Sequence, residues 1–485
     1  MISIPHVHFV GIGGIGMSGL AKVLLEAGYP VSGCDRERSH ITDRLAGLGA
    51  TIYEGHGARH IVGTDLLVIS SAIPGDNPDL IEARRRAIPV VKRAELLGHL
   101  MKERQGVAVA GTHGKTTTTG MIAWILEQAG LDPTIFVGGE LVNLDTNAKR
   151  GQGPFAVAEA DEYDYAFLEL SPALAVITNV EADHPDIFES LDAVVDTFSE
   201  FLARVLPGGN VVACVDNPQV QQLITHRDDV ITYALNQPAD WQARDIVPNG
   251  SSQAFGVDHQ EKSQGEFRIQ LPGIHNVSNG LAAIAVASTL GVDLEVIRDA
   301  VASFRGTRRR FEVKGIAREI TVIDDYAHHP TEVRATLAGA RQRYGGQTIW
   351  AVFQPHTYSR TRVLLNDFAG SFGDADHVIV TDIYAARERD TLGVHAQDLV
   401  SRMQRSERLP EAPPELVAGP VAGSVQGTHP SVRHIADLQD AASYLASSLS
   451  SGDIMLTLGA GDVWKVGERV LELLALEQAS VSSDQ

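Results

Sequence analysis

Residues 107–129 read V-A-V-A-G-T-H-G-K-T-T-T-T-G-M-I-A-W-I-L-E-Q-A, and the rest of the chain is arranged around them. Val107–Ala110 is a short apolar run of buried-strand type. Gly111-Thr112-His113-Gly114-Lys115-Thr116 is a tight loop. Met121, Ile122, Ile125, Leu126 and Ala129 then recur at helical spacing. Strand, glycine loop with Lys-Thr, then helix is the geometry of a phosphate cradle. Glycines let backbone N–H groups approach phosphate, and the helix N-terminus adds partial positive charge. Lys115 adds a full charge, and the Thr116 hydroxyl can reach Mg2+. The loop is shorter than G-x-x-x-x-G-K-[ST], so the argument rests on its context. A plain glycine turn would leave Thr116–Thr119, poor helix formers at a helix start, without a reason.

Outward from this stretch, 485 residues suggest three domains. A hydrophobic fraction of 44% and a charged fraction of 21% describe a globular chain able to bury large cores. The net charge of −21 disfavours nucleic acid as a partner. The two cysteines, Cys34 and Cys214, suggest neither a disulfide framework nor a zinc site, which suits a reducing cytoplasm. No secretory leader and no apolar run long enough for membrane insertion is expected.

The first segment opens with a strand at His8–Val10, then G-x-G-x-x-G at Gly11, Gly13 and Gly16, and a helix at Ser18–Ala27. A second strand at Val31–Gly33 is followed by Asp35. This fingerprint seats a diphosphate on a helix N-terminus and a ribose hydroxyl on a carboxylate, which suits NAD and a UDP-sugar alike. Leu66–Ile69 is a further strand, ending at Ser70 and Ser71, whose hydroxyls are either ligand contacts or turn residues. Leu96–Gln105 reads as helix and linker.

The second segment has strands at Phe155–Ala158 and Leu174–Thr178. They end in acidic clusters, Glu159–Asp164 and Asn179–His184. Ligands of open α/β sheets collect at the carboxyl ends of strands, so both clusters should meet the phosphate loop in one crevice. Glu159 and His184 are candidate Mg2+-site residues beside Thr116. Glu162 and Asp164 read as solvated loop acids. The 237–273 stretch loses the α/β rhythm, with a strand at Glu266–Leu271. A helix at Asn279–Leu290 follows, with Asn276 and Asn279 at its start, where amides cap a helix or read a base edge. Arg305, Arg308, Arg309 and Arg310 form a charge run suited to an anion.

The third segment has strands at Thr321–Ile323, Thr348–Phe353, His377–Thr381 and Ile454–Leu458. Each stops at polar residues, as in a second open parallel sheet with a ligand rim. His328 and His329 before Pro330 suit a base, a metal site or a hydrogen-bonded turn. Residues 406–430 read as a long surface loop and 477–485 as a frayed tail.

Taken together, G-I-G-G-I-G-M-S-G, G-T-H-G-K-T-T-T, A-E-A-D-E-Y-D, T-N-V-E-A-D-H, H-N-V-S-N, R-R-F-E, D-D-Y-A-H-H-P-T-E, F-Q-P-H-T-Y-S-R and G-A-G-D resemble the Mur ligases over roughly residues 5–475. The resemblance implies an α/β chain of three domains. Residues 1–102 would be Rossmann-like and hold a UDP-sugar. Residues 103–311 would be a P-loop ATPase-like parallel sheet with extra strands. Residues 312–485 would be Rossmann-like and hold the incoming amino acid. The first and seventh motifs imply the member that joins L-alanine to UDP-N-acetylmuramate with ATP and Mg2+, in peptidoglycan precursor synthesis, as a monomer or homodimer.

By the same resemblance, Gly111, Thr112, His113, Gly114, Lys115, Thr116 and Thr117 hold the ATP phosphates. Thr116, Glu159 and His184 serve Mg2+. Asn276 and Asn279 read the adenine, and Arg309 or Arg310 faces phosphate. Gly11, Gly13, Gly14, Gly16, Asp35, Ser70 and Ser71 hold the UDP moiety. His328, His356 and Arg360 handle the amino acid and close the site, and Lys115, His184, His328 and Arg360 are the catalytic set. Thr357 stands where many members have arginine. No lysine occurs in residues 185–206, where related ligases carry a carbamylated one. Two unit charges ~4 Å apart repel by about 4 kcal/mol at an effective dielectric near 20, so a carboxylate attacking a phosphate needs cationic help. A ligase for a preformed peptide, or an NAD-dependent oxidoreductase built on the first fingerprint, are the alternatives.

Overall fold

The computed structural model describes residues 5–249, 252–389, 392–406 and 430–483. Three sheets follow one another along the chain. The first is wholly parallel, in the spatial order Thr51–Glu54, Val31–Asp35, Val7–Val10, Leu66–Ile69, Val90–Lys92. Its order reverses beside Val7–Val10, so the first glycine loop emerges at the switch point where open sheets bind ligands. The following helix spans Ile15–Glu26, earlier than the pattern suggested, and Gly16 lies in its first turn.

In the ten-stranded second sheet, Gln105–Ala110 lies between Leu174–Ile177 and Phe155–Glu159, all parallel. Gln105 is strand rather than linker, because its N–H donates to Pro154 O. The helix Lys115–Gln128 buries Met121, Ile122, Ile125 and Leu126 at 0% exposure. The helix Ile274–Thr289, poor in large side chains and rich in alanine, packs closely against it. Trp241–Asn249, Ser252–His259 and Lys262–Ile269 form the antiparallel edge that replaces the α/β rhythm.

The third sheet runs Glu312–Ala317, Ile320–Asp325, Ile454–Leu458, Ile349–Phe353, His377–Val380, Ser431–His434. Only its first strand is antiparallel. The C-terminal segment is helical from Trp464 to Ser483, so the expected fraying from residue 477 is not observed. The interior of the 406–430 loop lies outside the described residues.

The first and second sheets share one core. Met17, Leu20 and Leu97 join Phe136, Ala148, Phe167 and Leu170 in a single buried apolar cluster. Gly98 is needed there, since a Cβ would collide with Glu169 O. This packing fixes the first loop relative to the second. No described helix is long and apolar enough to cross a membrane.

Candidate active site

A cavity of about 1150 Å³ opens between the three sheets. Gly11, Gly14 and Gly16 line it from the first sheet, Thr112–Thr116 and Glu159 from the second, and Arg310, His328 and His356 from the third. Both glycine loops therefore face the same space, at the carboxyl ends of their strands.

The second loop is shaped by backbone that only glycine tolerates. Gly111 has φ 137° and Gly114 φ 82°. A Cβ on Gly114 would lie 2.5 Å from Asn279 Oδ1, and one on Gly111 would collide with Thr178 Oγ1. Lys115 Nζ donates to Gly111 O, Thr112 O (3.1 Å) and both oxygens of Glu162 (2.8 and 3.0 Å). Burial alone would lower its pKa, but Glu162, Asp161 and Glu159 outweigh that and hold the ammonium protonated. Glu159 is half-buried beside Thr116, and its carboxylate accepts the Gly138 N–H. Burial pushes its pKa up, the condition of a carboxylate without a full positive partner.

His184 has φ 53°, a strained value for a residue with a side chain. Its Nε2 is 3.9 Å from Glu162 and 3.8 Å from Asp183, and Tyr163 meets the ring edge-on. The third sheet closes on this cluster. Arg360 Nε donates to Asp183 Oδ1 at 2.8 Å, with both side chains buried, and its other nitrogens face His356 (3.0 Å) and His184 (3.5 Å). Burial would raise Asp183, yet Arg360 and the adjacent histidines hold it far below the carboxylate range. Thr331 Oγ1 donates to Glu181 at 2.8 Å across the same junction. His113 of the loop stands 3.4 Å from both Glu181 and Glu332. Burial lowers His113, but the two carboxylates win and raise it to about 9. Burial lowers His328 to about 3 and His356 to about 4, with Arg360 adding to both, so these imidazoles are neutral.

Models of the Mur ligase family match all three parts of the chain: residues 6–105 (family catalytic domain), 109–287 (middle domain) and 309–461 (glutamate ligase domain). The chain belongs to the Mur ligase family. A UDP-N-acetylmuramate–L-alanine ligase of Geobacter sp. is 47% identical over 96% of this chain and 97% of its own length. One from Myxococcus xanthus is 46% identical over 97% and 95%. The crystal structure of a UDP-N-acetylmuramate–alanine ligase from Thermotoga maritima superposes with TM-score 0.81 at 29% identity, covering 98% of this chain and 100% of that one. A murein peptide ligase from Psychrobacter arcticus gives 0.71 at 26% identity, covering 97% and 98%.

Several residues of this Mur ligase sit differently from the sequence reading. Glu162 is not a solvated acid: it is 2% exposed and anchors Lys115. Asp164 ties Ser71 and Lys92 together. Gly13, Asp35 and Ser71 are not among the residues lining the cavity, with Asp35 accepting the Gly13 N–H at 2.8 Å, whereas Ser70 lines it. Asn276 and Asn279 lie inside a helix that begins at Ile274, so neither caps it. Asn276 donates to Pro272 O and Asn279 to Asn276, and Asn279 accepts from Thr118. Neither is among the lining residues, and Asn279 packs under Gly114 instead. Gly111 and Thr117 likewise support the loop from behind.

The arginine run does not converge on one point. Arg308 pairs with Glu140, Asp145 and Glu312. Arg309 turns to Asp324 and Gly459 O. Arg310 is half-buried over Tyr326, 3.5 Å from Glu332, and lines the cavity. His329 caps the helix Pro330–Tyr344, accepting the Thr331 N–H. Arg93 was missed: its guanidinium lies over Gly16, in reach of the first loop. No motif flags it, since it belongs to a different helix, Arg93–Met101.

Proposed function

We propose that the chain is an ATP-dependent ligase that joins L-alanine to the lactyl carboxylate of UDP-N-acetylmuramate, acting in the cytoplasm in peptidoglycan precursor synthesis. The observation that carries this reading is the single cavity shared by two glycine loops, one with a lysine and one without. A diphosphate-bearing and a triphosphate-bearing substrate can then meet in one shared space. We read residues 1–102 as the UDP-sugar domain, 103–311 as the ATP domain and 312–485 as the amino-acid domain.

Gly11, Gly14 and the N-terminus of Ile15–Glu26 receive the UDP diphosphate, with Arg93 supplying charge. Lys115, Gly114 N–H and Arg310 receive the ATP phosphates. Thr116, Glu159 and His184 offer two oxygen donors and one nitrogen to Mg2+, and the half-buried carboxylate of Glu159 fits a hard cation. Mg2+ held there would neutralise phosphate charge.

The lactyl carboxylate oxygen attacks the γ-phosphorus, the bond to ADP breaks, and an acyl phosphate forms. Lys115 and Arg310 offset the repulsion between the two anions. The alanine amine then attacks the acyl carbon, and phosphate leaves with one former carboxylate oxygen. His328 is too weak a base at about 3 to take the amine proton, and His184 is engaged with the metal site, so we assign that proton to the departing phosphate, which the same step releases. His356 and Arg360 orient the alanine carboxylate. The Arg360–Asp183 pair keeps the third domain closed and excludes bulk water from the acyl phosphate.

Lactyl carboxylate labelled with 18O tests the chemistry. One labelled oxygen is expected in each released phosphate. Unlabelled phosphate accompanied by labelled product would exclude the acyl phosphate.

A further inference from the structure

The first sheet has a second face, away from the shared core. Phe9 packs under the helix Ile15–Glu26, whereas His8 and Val10 point the other way, beside Ser32 and Cys34. There His8, Cys34 and Asp79, all buried, present ligand atoms within 4.8 Å of one another. His56 Nδ1 adjoins two of them, 3.2 Å from Cys34 Sγ and 3.5 Å from Asp79 Oδ2. His60 Nδ1 stands 3.4 Å from Asp79 Oδ1.

Hydrogen bonds account for only part of this cluster: Cys34 Sγ meets His56 Nδ1, and Asp79 Oδ2 accepts the Gly57 N–H at 3.1 Å. His8 Nε2 is fully buried and makes no hydrogen bond, and Asp79 Oδ1 makes none beyond its 3.4 Å ion-pair contact with His60. Such groups carry a desolvation penalty that a native core normally removes. His8 Nδ1 meets Ser32 Oγ at 2.7 Å, which orients the ring and leaves Nε2 available. Zinc bonds of about 2.3 Å to sulfur and ~2.0–2.1 Å to nitrogen or oxygen place tetrahedral neighbours about 3.3 Å apart for two nitrogen or oxygen ligands and ~3.6 Å apart for sulfur with either. The His56–Asp79 distance of 3.5 Å lies close to that spacing, and Cys34 and His56, now 3.2 Å apart, would separate by about 0.4 Å on binding. A sulfur with two imidazoles also selects zinc over magnesium.

We propose that Cys34, His8, Asp79 and His56 form a structural site for a zinc-class divalent ion. Binding breaks the Cys34 S–H bond, releases that proton to solvent and forms the metal–sulfur bond. The ion joins two strands, the turn carrying His56 and the helix Pro78–Arg85 that carries Asp79. It would brace the strand that ends at Asp35, behind the first glycine loop.

The test uses the full chain with Co2+ as probe. Thiolate-to-cobalt charge transfer and intense tetrahedral bands are expected at about one equivalent. Cys34→Ser should abolish the charge-transfer band, and Cys214→Ser, the other cysteine, should leave it. Zinc should be retained at about one per chain after dialysis and raise the thermal midpoint of wild type but not of Cys34→Ser. A cobalt spectrum without a thiolate band, or zinc retention equal in wild type and Cys34→Ser, would overturn the proposal.

Discussion

The two glycine loops leave equivalent positions of parallel sheets, yet they are built differently. The first turns into its helix through Gly14 at φ −65°, an ordinary conformation, and has no cation of its own. The second turns through Gly114 at φ 82° and carries Lys115, clamped by Glu162. The acid of the first, Asp35, braces the loop backbone, whereas the acid of the second braces the charged side chain. On the proposed reading the first loop holds the UDP diphosphate, which stays intact, and the second the ATP triphosphate, whose terminal bond breaks.

Replacing the cation should separate them most. Lys115→Ala is expected to lower kcat by about 10²–10³ or more, as for loss of a transition-state donor. It should also destabilise the fold by about 3–5 kcal/mol, because Glu162 is left buried and unpaired. Adding Glu162→Gln should restore stability but not kcat, which denaturant titration and steady-state rates would show. Arg93→Ala, in contrast, should raise the KM for the UDP-sugar about tenfold and spare kcat. Equal kcat losses in the two variants would erase the distinction between the loops.

Backbone strain gives the next contrast. Gly114→Ala forces a Cβ onto Asn279 at positive φ and should cost about 1–3 kcal/mol with loss of ATP affinity. Gly14→Ala meets nothing nearer than 3.4 Å, so its thermal midpoint should barely move.

The domain junction beside the second loop should respond to pH. His113 is raised to about 9, so its contribution is complete below its unfolded value near 6.5 and is lost as pH rises through 9. Linkage sets an upper limit of about 3 kcal/mol, reduced because both carboxylates stand 3.4 Å away. The thermal midpoint of wild type should fall between pH 6.5 and 9.5, and that of His113→Asn should fall less. The smallest effect is expected at Glu140, which bridges Arg44 and Arg308 at the surface. Glu140→Gln should cost under about 1 kcal/mol in thermal unfolding.

The three-domain α/β fold was legible because glycine loops and apolar runs at strand ends are local patterns. Lys115 and Gly114 lie in one such pattern, and the loop they form is the one observed. Glu162 was misread because burial depends on what folds over it, and nothing in A-D-E-Y-D distinguishes a covered acid from a solvated one. Arg93 could not be seen, since it reaches Gly16 from another helix. Arg309 and Arg310 are adjacent in sequence and both pack over Tyr326, and only their carboxylate partners, Asp324 and Glu332, distinguish their settings. Cys34 and His8 gave no metal signal because their spacing follows strand pairing rather than a ligand motif.

Phosphate release from ATP and Mg2+ tests the central claim most directly. Wild type and Lys115→Ala would be assayed side by side, with UDP-N-acetylmuramate and L-alanine added together, singly and not at all. Sustained release is expected only from wild type with both substrates present. Release that persists without the UDP-sugar, or is equal in Lys115→Ala, would contradict the account.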